Sequence, residues 1–173
     1  MLADDATPWV RGNLSIARSV LERVFEEARA AYGRDEESCG LLTGPAADAL
    51  HVDAIVPMTN RANKLHALDP ETYPRTGRMY FDIDPLRFAR EVQAGAAAGR
   101  PVKVLYHSHL DVGAYFSETD AAAATGGGEA PTYPLAYLVT SVVAGEVREH
   151  RLFVFDEERR AFVPSSLTVR EGA

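Results

Sequence analysis

Two short stretches decide the fold: VLYHSH at residues 104–109 and, seven residues later, SETD at residues 117–120. The first is an apolar run that ends in two histidines, and it predicts a strand buried on both faces. Alternate residues of a strand point to the same face, so His107 and His109 are presented together. The serine that opens the second stretch is typical of a helix N-cap, which places Asp120 on the first helical turn. The sequence therefore predicts that two imidazoles and one carboxylate meet.

This meeting point has the ligand set of a catalytic zinc site, in which two histidines and one carboxylate leave a fourth position to water. Zinc in such a site lowers the pKa of water to about 7. Hydrolysis also needs a general base, and Glu37, at the entrance of the first strand, is the candidate. Ser117 is expected close to the metal, where its hydroxyl could donate a hydrogen bond to a developing oxyanion. The predicted metal ligands are His107, His109 and Asp120.

Each motif taken alone has a more ordinary interpretation. An isolated His-x-His is more often a surface or core pair, and Ser-x-x-Asp is usually only a capping box. Glu37 alone would be a solvated charge at a helix end. Found together at these spacings, the three motifs favour a metal site.

The other chemically active side chains are interpreted as structural. Cys39 is the only cysteine and is expected to be a small core residue, which excludes an internal disulfide and a cysteine-rich metal site. Surface positions are expected for His51, His66 and His150. For residues 115–116, a tyrosine and a phenylalanine, local packing and a wall of the substrate site remain equally open.

Length and composition describe a single domain, residues 1–173. Hydrophobic residues make up 46% of the chain, enough for a sizeable core. The net charge of −7 argues against nucleic acid as the main partner, because phosphate binding needs a basic surface. No apolar run reaches about 18 residues, so none is expected to span a membrane. Residues 1–11 lack the apolar core of a signal peptide, so a cytoplasmic location is expected.

The predicted elements are those of an α/β protein, one mixed β-sheet flanked by helices. Helices are predicted at 14–32 with Ser15 as N-cap, at 86–98 with Asp84 as N-cap, and at 117–124. Strands are predicted at 39–44, 50–58, 79–81, 102–107, 135–143 and 147–155, the first two as an antiparallel pair. Residues 59–78 and 125–134 are predicted loops. Residues 1–12 are an N-terminal arm in which Trp9 is expected to pack on the domain, and residues 156–173 are a C-terminal tail with short strands.

The motif residues together resemble the JAMM (MPN+) family of zinc metalloproteases, in the form of its bacterial and archaeal members. The likeness rests on Glu37-Ser38-Cys39-Gly40, then His107-x-His109, seven residues, Ser117, two residues and Asp120. It implies the JAMM (MPN, cytidine-deaminase-like) fold and one zinc ion per chain. By position it implies Glu37 as the base, His107, His109 and Asp120 as the ligands, and Ser117 as the oxyanion helper. Leu110 departs from the pattern, since many members have proline there.

The resemblance also implies a function and a kind of partner. Family members hydrolyse amide or isopeptide bonds next to ubiquitin-like or sulfur-carrier proteins, whose glycine-ending tails lie in a cleft. Loops 59–80 and 125–134 would flank that cleft here. The leading hypothesis is hydrolysis of the peptide or isopeptide bond after such a tail.

Three other functions are weighed against this hypothesis. Hydrolysis of a carrier–cysteine adduct and a non-catalytic interaction module of the same fold remain as alternatives. A zinc deaminase is disfavoured, because its His-x-Glu and Pro-Cys-x-x-Cys motifs are absent. The sequence leaves the identity of the substrate and the oligomeric state open.

Overall fold

The computed structural model describes residues 6–172, so the first five residues of the predicted arm and the last residue of the tail lie outside the described part. A 3₁₀ helix at Pro8–Arg11 precedes helices α1 (Arg18–Gly33), α2 (Ala62–Leu68), α3 (Pro85–Ala97) and α4 (Glu118–Thr125). The strands are β1 (Leu14–Ala17), β2 (Cys39–Thr43), β3 (His51–Val52), β4 (Ala54–Met58), β5 (Val102–Leu110), β6 (Ala136–Val143), β7 (Glu146–Asp156), β8 (Ala161–Ser165) and β9 (Leu167–Arg170). Within residues 6–172, no helix is long and apolar enough to cross a membrane.

The strands form two sheets rather than the one predicted. The larger sheet has the order β4-β2-β5-β6-β7-β8, in which β5 and β6 are parallel and every other neighbouring pair is antiparallel. The expected antiparallel pair of early strands is present as β2 and β4. The second sheet has the order β3-β1-β9 and is entirely parallel.

Strand β5 lies inside the larger sheet and has an apolar core on each of its faces. Val104 and Tyr106 pack in one cluster with the buried residues of α1. Leu105 packs in the other cluster, with residues of α3 and α4. This two-sided burial is the environment that the apolar run predicts. Tyr106 also explains Gly40 on β2, because a Cβ added there would lie 2.4 Å from the Tyr106 hydroxyl oxygen.

The helix predicted at 14–32 is wrong in its first turn. Residues Leu14–Ala17 form β1, which pairs with β9, and α1 begins only at Arg18. Ser15 is therefore not a helix cap, and its hydroxyl lies 2.7 Å from Nδ1 of His51. Leu14 and Ile16 are buried as alternate strand residues. The spacing of Leu14 and Ile16 is also compatible with the apolar face of α1. Only the tertiary pairing with β9 therefore decides that these residues form a strand and not a first helical turn.

The segment between β4 and α3 is more ordered than a loop. Helix α2 lies within the predicted loop, and the strand predicted at 79–81 is not formed. Instead, the Asn60 side chain accepts a hydrogen bond from the Asp82 amide and donates one to the Tyr80 carbonyl. These bonds take up backbone groups that a sheet would otherwise pair. They also hold Phe81 so that its ring stacks on the ring of His107, with 4.7 Å between centroids.

The strand predicted at 50–58 is divided between the two sheets. Its first part is β3, which pairs with β1, and its second part is β4, which pairs with β2. The break falls at Asp53, whose amide donates to the Thr43 carbonyl. The division places His51 in the interior with 4% of its surface exposed, so its predicted surface position is wrong.

Lys103 on β5 is fully buried, yet its ammonium group is completely paired. It donates to the carbonyl oxygens of Pro45, Asp48 and His51 at 2.9, 2.9 and 2.8 Å. A lysine has three N–H donors, so none is left without a partner. The three bonds fasten the connection between β2 and β3 to the central strand.

We expect Lys103→Met to lower the free energy of unfolding by about 1–3 kcal/mol, because buried carbonyl groups lose their partner. Urea unfolding followed by circular dichroism measures the change. Lys64→Met is the matched control, since Lys64 is exposed on α2 and its loss should leave the unfolding midpoint in place. Equal midpoints for the two variants would show that the buried ammonium does not stabilise the fold.

Candidate metal centre

The three predicted ligands converge where β5 meets the first turn of α4. Nε2 of His107 and Nε2 of His109 lie 3.2 Å apart. Asp120 places Oδ1 at 3.1 Å from the His107 nitrogen and Oδ2 at 3.2 Å from the His109 nitrogen. All three side chains are buried, and their ligand atoms lie within 4.8 Å of one another. Two nitrogens and one carboxylate oxygen around one point fit a single zinc ion.

Neighbouring groups orient two of the ligands for metal binding. His109 Nδ1 lies 2.9 Å from the carbonyl oxygen of Gly113. A carbonyl only accepts hydrogen bonds, so the ring proton belongs on Nδ1 and the Nε2 lone pair faces the cluster. Burial opposes ionisation of Asp120, but the two histidines and the Ser117 amide outweigh it and lower the pKa of its carboxyl group. Asp120 is therefore a carboxylate, the form that binds a metal.

Ser117 caps α4 and lies beside the ligands. Its hydroxyl oxygen accepts from the Asp120 amide at 3.0 Å, and its own amide donates to Asp120 Oδ2 at 3.0 Å. This capping box fixes the direction of the ligand carboxylate. Because the hydroxyl oxygen is the acceptor in the cap, its proton stays available for another acceptor. The arrangement is compatible with the predicted oxyanion role.

The register of β2 on β5 brings Glu37 to the ligands. Cys39 pairs with His107, and the Ser108 amide donates to the Ser38 carbonyl at 3.1 Å. The amide and hydroxyl of Ser38 both donate to Ser108 Oγ, at 2.8 and 2.9 Å. One further step in this register sets Glu37 level with the second histidine.

The Glu37 carboxyl group is buried, and one of its oxygens is unpaired among the described residues. The residue is 5% exposed, and its Oε1 atom has no hydrogen-bond partner within residues 6–172. Burial, together with the negative charge of Asp120, raises the pKa of this carboxyl group well above its usual value. A buried acceptor without a partner, next to a ligand cluster, is suited to bind a water molecule there and to take its proton. The solvated helix-end charge, the ordinary interpretation of Glu37, is therefore wrong.

Asn60 holds the Glu37 backbone, whereas the sequence predicts only a solvated loop residue or a substrate contact at this position. Its Nδ2 donates to the Glu37 carbonyl at 3.0 Å, and the Glu37 amide donates to the Gly77 carbonyl at 2.7 Å. Single polar residues in a loop carry no pattern, so only the folded geometry shows that Asn60 matters. The sequence likewise gives no indication that Ser108, between the two histidines, bonds to Ser38.

Two separate spaces reach the ligand cluster. The open cleft has a volume of about 430 Å³ and is lined by Glu37, His109 and Ser117. Its rim carries the exposed side chains of Met79 and Tyr115. The apolar pocket is smaller, about 240 Å³, and reaches the cluster at His107 and Asp120. Its walls are apolar and aromatic residues: Phe81, Ile83, Phe88, Phe116, Tyr133 and Tyr137.

The remaining candidates are mostly structural. Cys39 is buried, and burial raises the pKa of its thiol, so it is an inert core residue as expected. Tyr115 makes an edge contact with the ring of His109 and also lines the open cleft. Phe116 packs on Phe162 and lines the apolar pocket. Both residues thus combine local packing with a position at the candidate site.

The sequence matches the family model described as prokaryotic homologs of the JAB domain over residues 17–154. This segment contains Glu37, the three candidate ligands and Ser117. No curated protein matched the chain in a sequence search.

Solved structures from two bacteria and one archaeon share the fold. A solution structure from Desulfitobacterium hafniense has a TM-score of 0.65 and 22% identity, covering 92% of this chain and 94% of its own. One from Salinibacter ruber has a TM-score of 0.59 and 25% identity, covering 91% and 92%. The crystal structure of a JAB1/MPN domain protein from Archaeoglobus fulgidus has a TM-score of 0.53 and 16% identity, covering 92% and 99%. These likenesses confirm the predicted mixed α/β fold.

We expect the purified protein to contain about one zinc ion per chain. His109→Ala should lose the ion, because it removes one of three protein ligands. His66→Ala is the matched control, since that histidine lies outside the cluster and its Nδ1 bonds to the Tyr73 carbonyl. Metal analysis after extensive dialysis measures both. Full zinc occupancy in His109→Ala would refute the ligand set.

The metal-free form of Glu37→Gln should be more stable than the metal-free natural protein at pH 7. An acid whose pKa is raised by folding binds more protons when folded, so stability falls as pH rises above the usual glutamate pKa. Each unit of that shift corresponds to about 1.4 kcal/mol, and we expect a gain of at least about 1 kcal/mol at pH 7. The gain should disappear near pH 4.

Urea unfolding of both proteins at pH 4 and pH 7, with a chelator present, measures this gain. Glu36→Gln is the control, because that neighbouring carboxylate is paired with Arg34 and is not in the ligand cluster. If the difference in unfolding free energy between Glu37→Gln and the natural protein is the same at pH 4 and at pH 7, the buried-carboxyl interpretation is contradicted.

Proposed function

The chain belongs to the family of prokaryotic homologues of the JAB domain, and on this basis we propose that it is a zinc-dependent metallopeptidase. The proposed reaction is hydrolysis of the peptide or isopeptide bond after the C-terminal tail of a ubiquitin-like protein. The observation that carries the proposal is the buried, partner-free Oε1 of Glu37 beside three convergent ligands. A structural capping box and a pair of histidines would need no such carboxyl group.

The chain's own residues suit each part of the hydrolysis. Zinc held by His107, His109 and Asp120 would supply Lewis acidity. Glu37 would take a proton from the attacking water and pass it to the leaving nitrogen. The free hydroxyl proton of Ser117 would be donated to the oxyanion that develops on the scissile carbonyl.

The position of Glu37 indicates on which side of the ligands each part of the substrate would lie. The leaving nitrogen has to come within hydrogen-bond distance of Glu37 to receive its proton. Glu37 lines the open cleft and not the apolar pocket, so the leaving group belongs in the open cleft. The acyl side, which is the tail, then lies towards the apolar pocket.

The apolar pocket is suited to a tail of the expected kind. One side of the pocket is lined by Phe81, from the segment that follows α2. Another is lined by Thr132 and Tyr133, from the segment that precedes β6. These are the ends of the two loop regions expected to flank a tail. Glycines next to the scissile bond would pass the narrow approach to the ligands, and an apolar residue before them would fill the pocket. A glycine-ending tail of a ubiquitin-like or sulfur-carrier protein is therefore the proposed partner.

A non-catalytic module of the same fold has less support. Such a module needs no general base, whereas here all five motif residues are present and the structure brings them together. Hydrolysis of a carrier–cysteine adduct uses the same residues and differs only in its leaving group. The test below separates these possibilities.

We expect the zinc-loaded protein to cleave a ubiquitin-like or sulfur-carrier protein of its own organism, fused through its tail to a reporter. Glu37→Gln should retain zinc and fold but lose turnover by about 10²–10⁴-fold, because proton transfer is lost. Glu36→Gln is the matched control and should keep its activity. Intact mass spectrometry of the products identifies the bond that is cut.

The panel contains linear fusions, lysine isopeptide conjugates and cysteine adducts of the same tails. Preference for the first two supports the proposed function, and preference for the third supports carrier–cysteine hydrolysis. A zinc-loaded protein that cleaves none of them, or a Glu37→Gln variant with full turnover, would overturn the proposal.

A further inference from the structure

The N-terminal arm contacts the wall of the apolar pocket. Trp9, in the 3₁₀ helix Pro8–Arg11, is 6% exposed, and its Nε1 donates to the Pro134 carbonyl at 2.7 Å. Pro134 lies between Tyr133 and Leu135, which both line the apolar pocket. The same two residues line a second crevice, of about 370 Å³, together with Trp9 and residues of α3. The segment 133–135 thus separates the arm from the candidate substrate site.

This wall has little structure of its own. The residues between α4 and β6 form no helix or strand, and the turn begins with Gly126 and Gly127, both with positive φ. Near its end, the Thr132 amide donates to the Ala124 carbonyl at 2.9 Å. The ring of Tyr133 then packs on that of Phe88, and the next hydrogen bond along the chain is the one from Trp9. A segment with few backbone bonds has a low local stability, so each anchor has a large effect.

The arm is itself firmly fixed. Its 3₁₀ helix ends at Gly12, where φ is +81° and a Cβ would lie 2.0 Å from Ser165 Oγ, so only glycine fits. The next residue, Asn13, donates through its amide to the same Ser165 Oγ at 2.8 Å. Strand β1 then pairs with β9 over four residues. The arm can therefore act as a rigid support for the wall.

The support lies outside the segment that defines the family, which begins at residue 17. We propose that Trp9 is a positioning residue of this chain, which fixes the 132–135 wall of the apolar pocket through its bond to Pro134. It touches neither the metal ligands nor the open cleft, so it acts on the fit of the tail and not on the chemical step. The effect on substrate rests on the proposed function, whereas the effect on the wall does not.

Trp9→Phe tests the proposal, because it keeps an aromatic ring and removes the N–H donor. We expect amide hydrogen exchange at Thr132 to become about fivefold faster, since the loss of one hydrogen bond of average strength changes a local opening equilibrium by about that factor. Exchange at Ala121, whose amide bonds to the Ser117 carbonyl in α4, should not change. Tyr32→Phe is the matched control, because it also removes one side-chain hydrogen-bond donor, to Asp111, but leaves the arm and Pro134 untouched.

This exchange measurement needs no substrate, so it stands even if the proposed peptidase activity fails. Unchanged exchange at Thr132 in Trp9→Phe, or equal acceleration in Tyr32→Phe, would overturn the positioning role of Trp9.

Steady-state kinetics then test the consequence. With a cleavable tail fusion, Trp9→Phe should raise KM about three- to tenfold and leave kcat and zinc content unchanged. The rise should disappear when the apolar residue that precedes the tail glycines is replaced by alanine, because the pocket is then unfilled. A fall in kcat without a rise in KM would refute the positioning role.

Discussion

The hydrogen bonds between Ser38 and Ser108 are the constraint on which the site depends. They join β2 to β5 at the point where one strand brings the candidate base and the other brings two ligands. Side chains alternate between the faces of a sheet, so a slip of one residue would turn Glu37 away from the ligands. The small, mutually bonded serines pack on the face of the sheet opposite to the histidines. The register of β2 on β5, and not the conformation of a loop, therefore sets the distance from the Glu37 carboxylate to the ligands.

The candidate site was largely predictable from the sequence because its parts are local. His107 and His109 share a face by strand geometry, and Ser117 and Asp120 share a helix turn by the logic of capping. Glu37 is separated from them by about seventy residues, and only the family resemblance connected it. The errors lie where distant pairing decides the structure. Residues 14–17 follow a helical spacing yet pair with β9. His51 is buried because β3 pairs with β1. Asn60 and Lys103 show no pattern at all, because their partners are backbone groups.

The same residues that suit catalysis are poorly suited to stability. Glu37, Asp120 and two histidines are buried together, and burying ionisable groups is costly unless each finds a partner. The two apolar clusters on either face of β5 offset that cost. A bound metal would remove much of the mutual repulsion between the carboxyl groups. The fold should therefore be more stable with a bound ion than without one.

The parallel pairing of β1 with β9 has a consequence for the order in which the molecule matures. Strand β9 follows β1 by about 150 residues, so it leaves the ribosome well after β1. The arm that carries Trp9 gains its full set of neighbours only after β9 has been synthesised. The metal ligands, the base and the larger sheet up to β7 can assemble earlier. A nascent chain would therefore hold the candidate ligands and the candidate base before the arm that carries Trp9 has its full support.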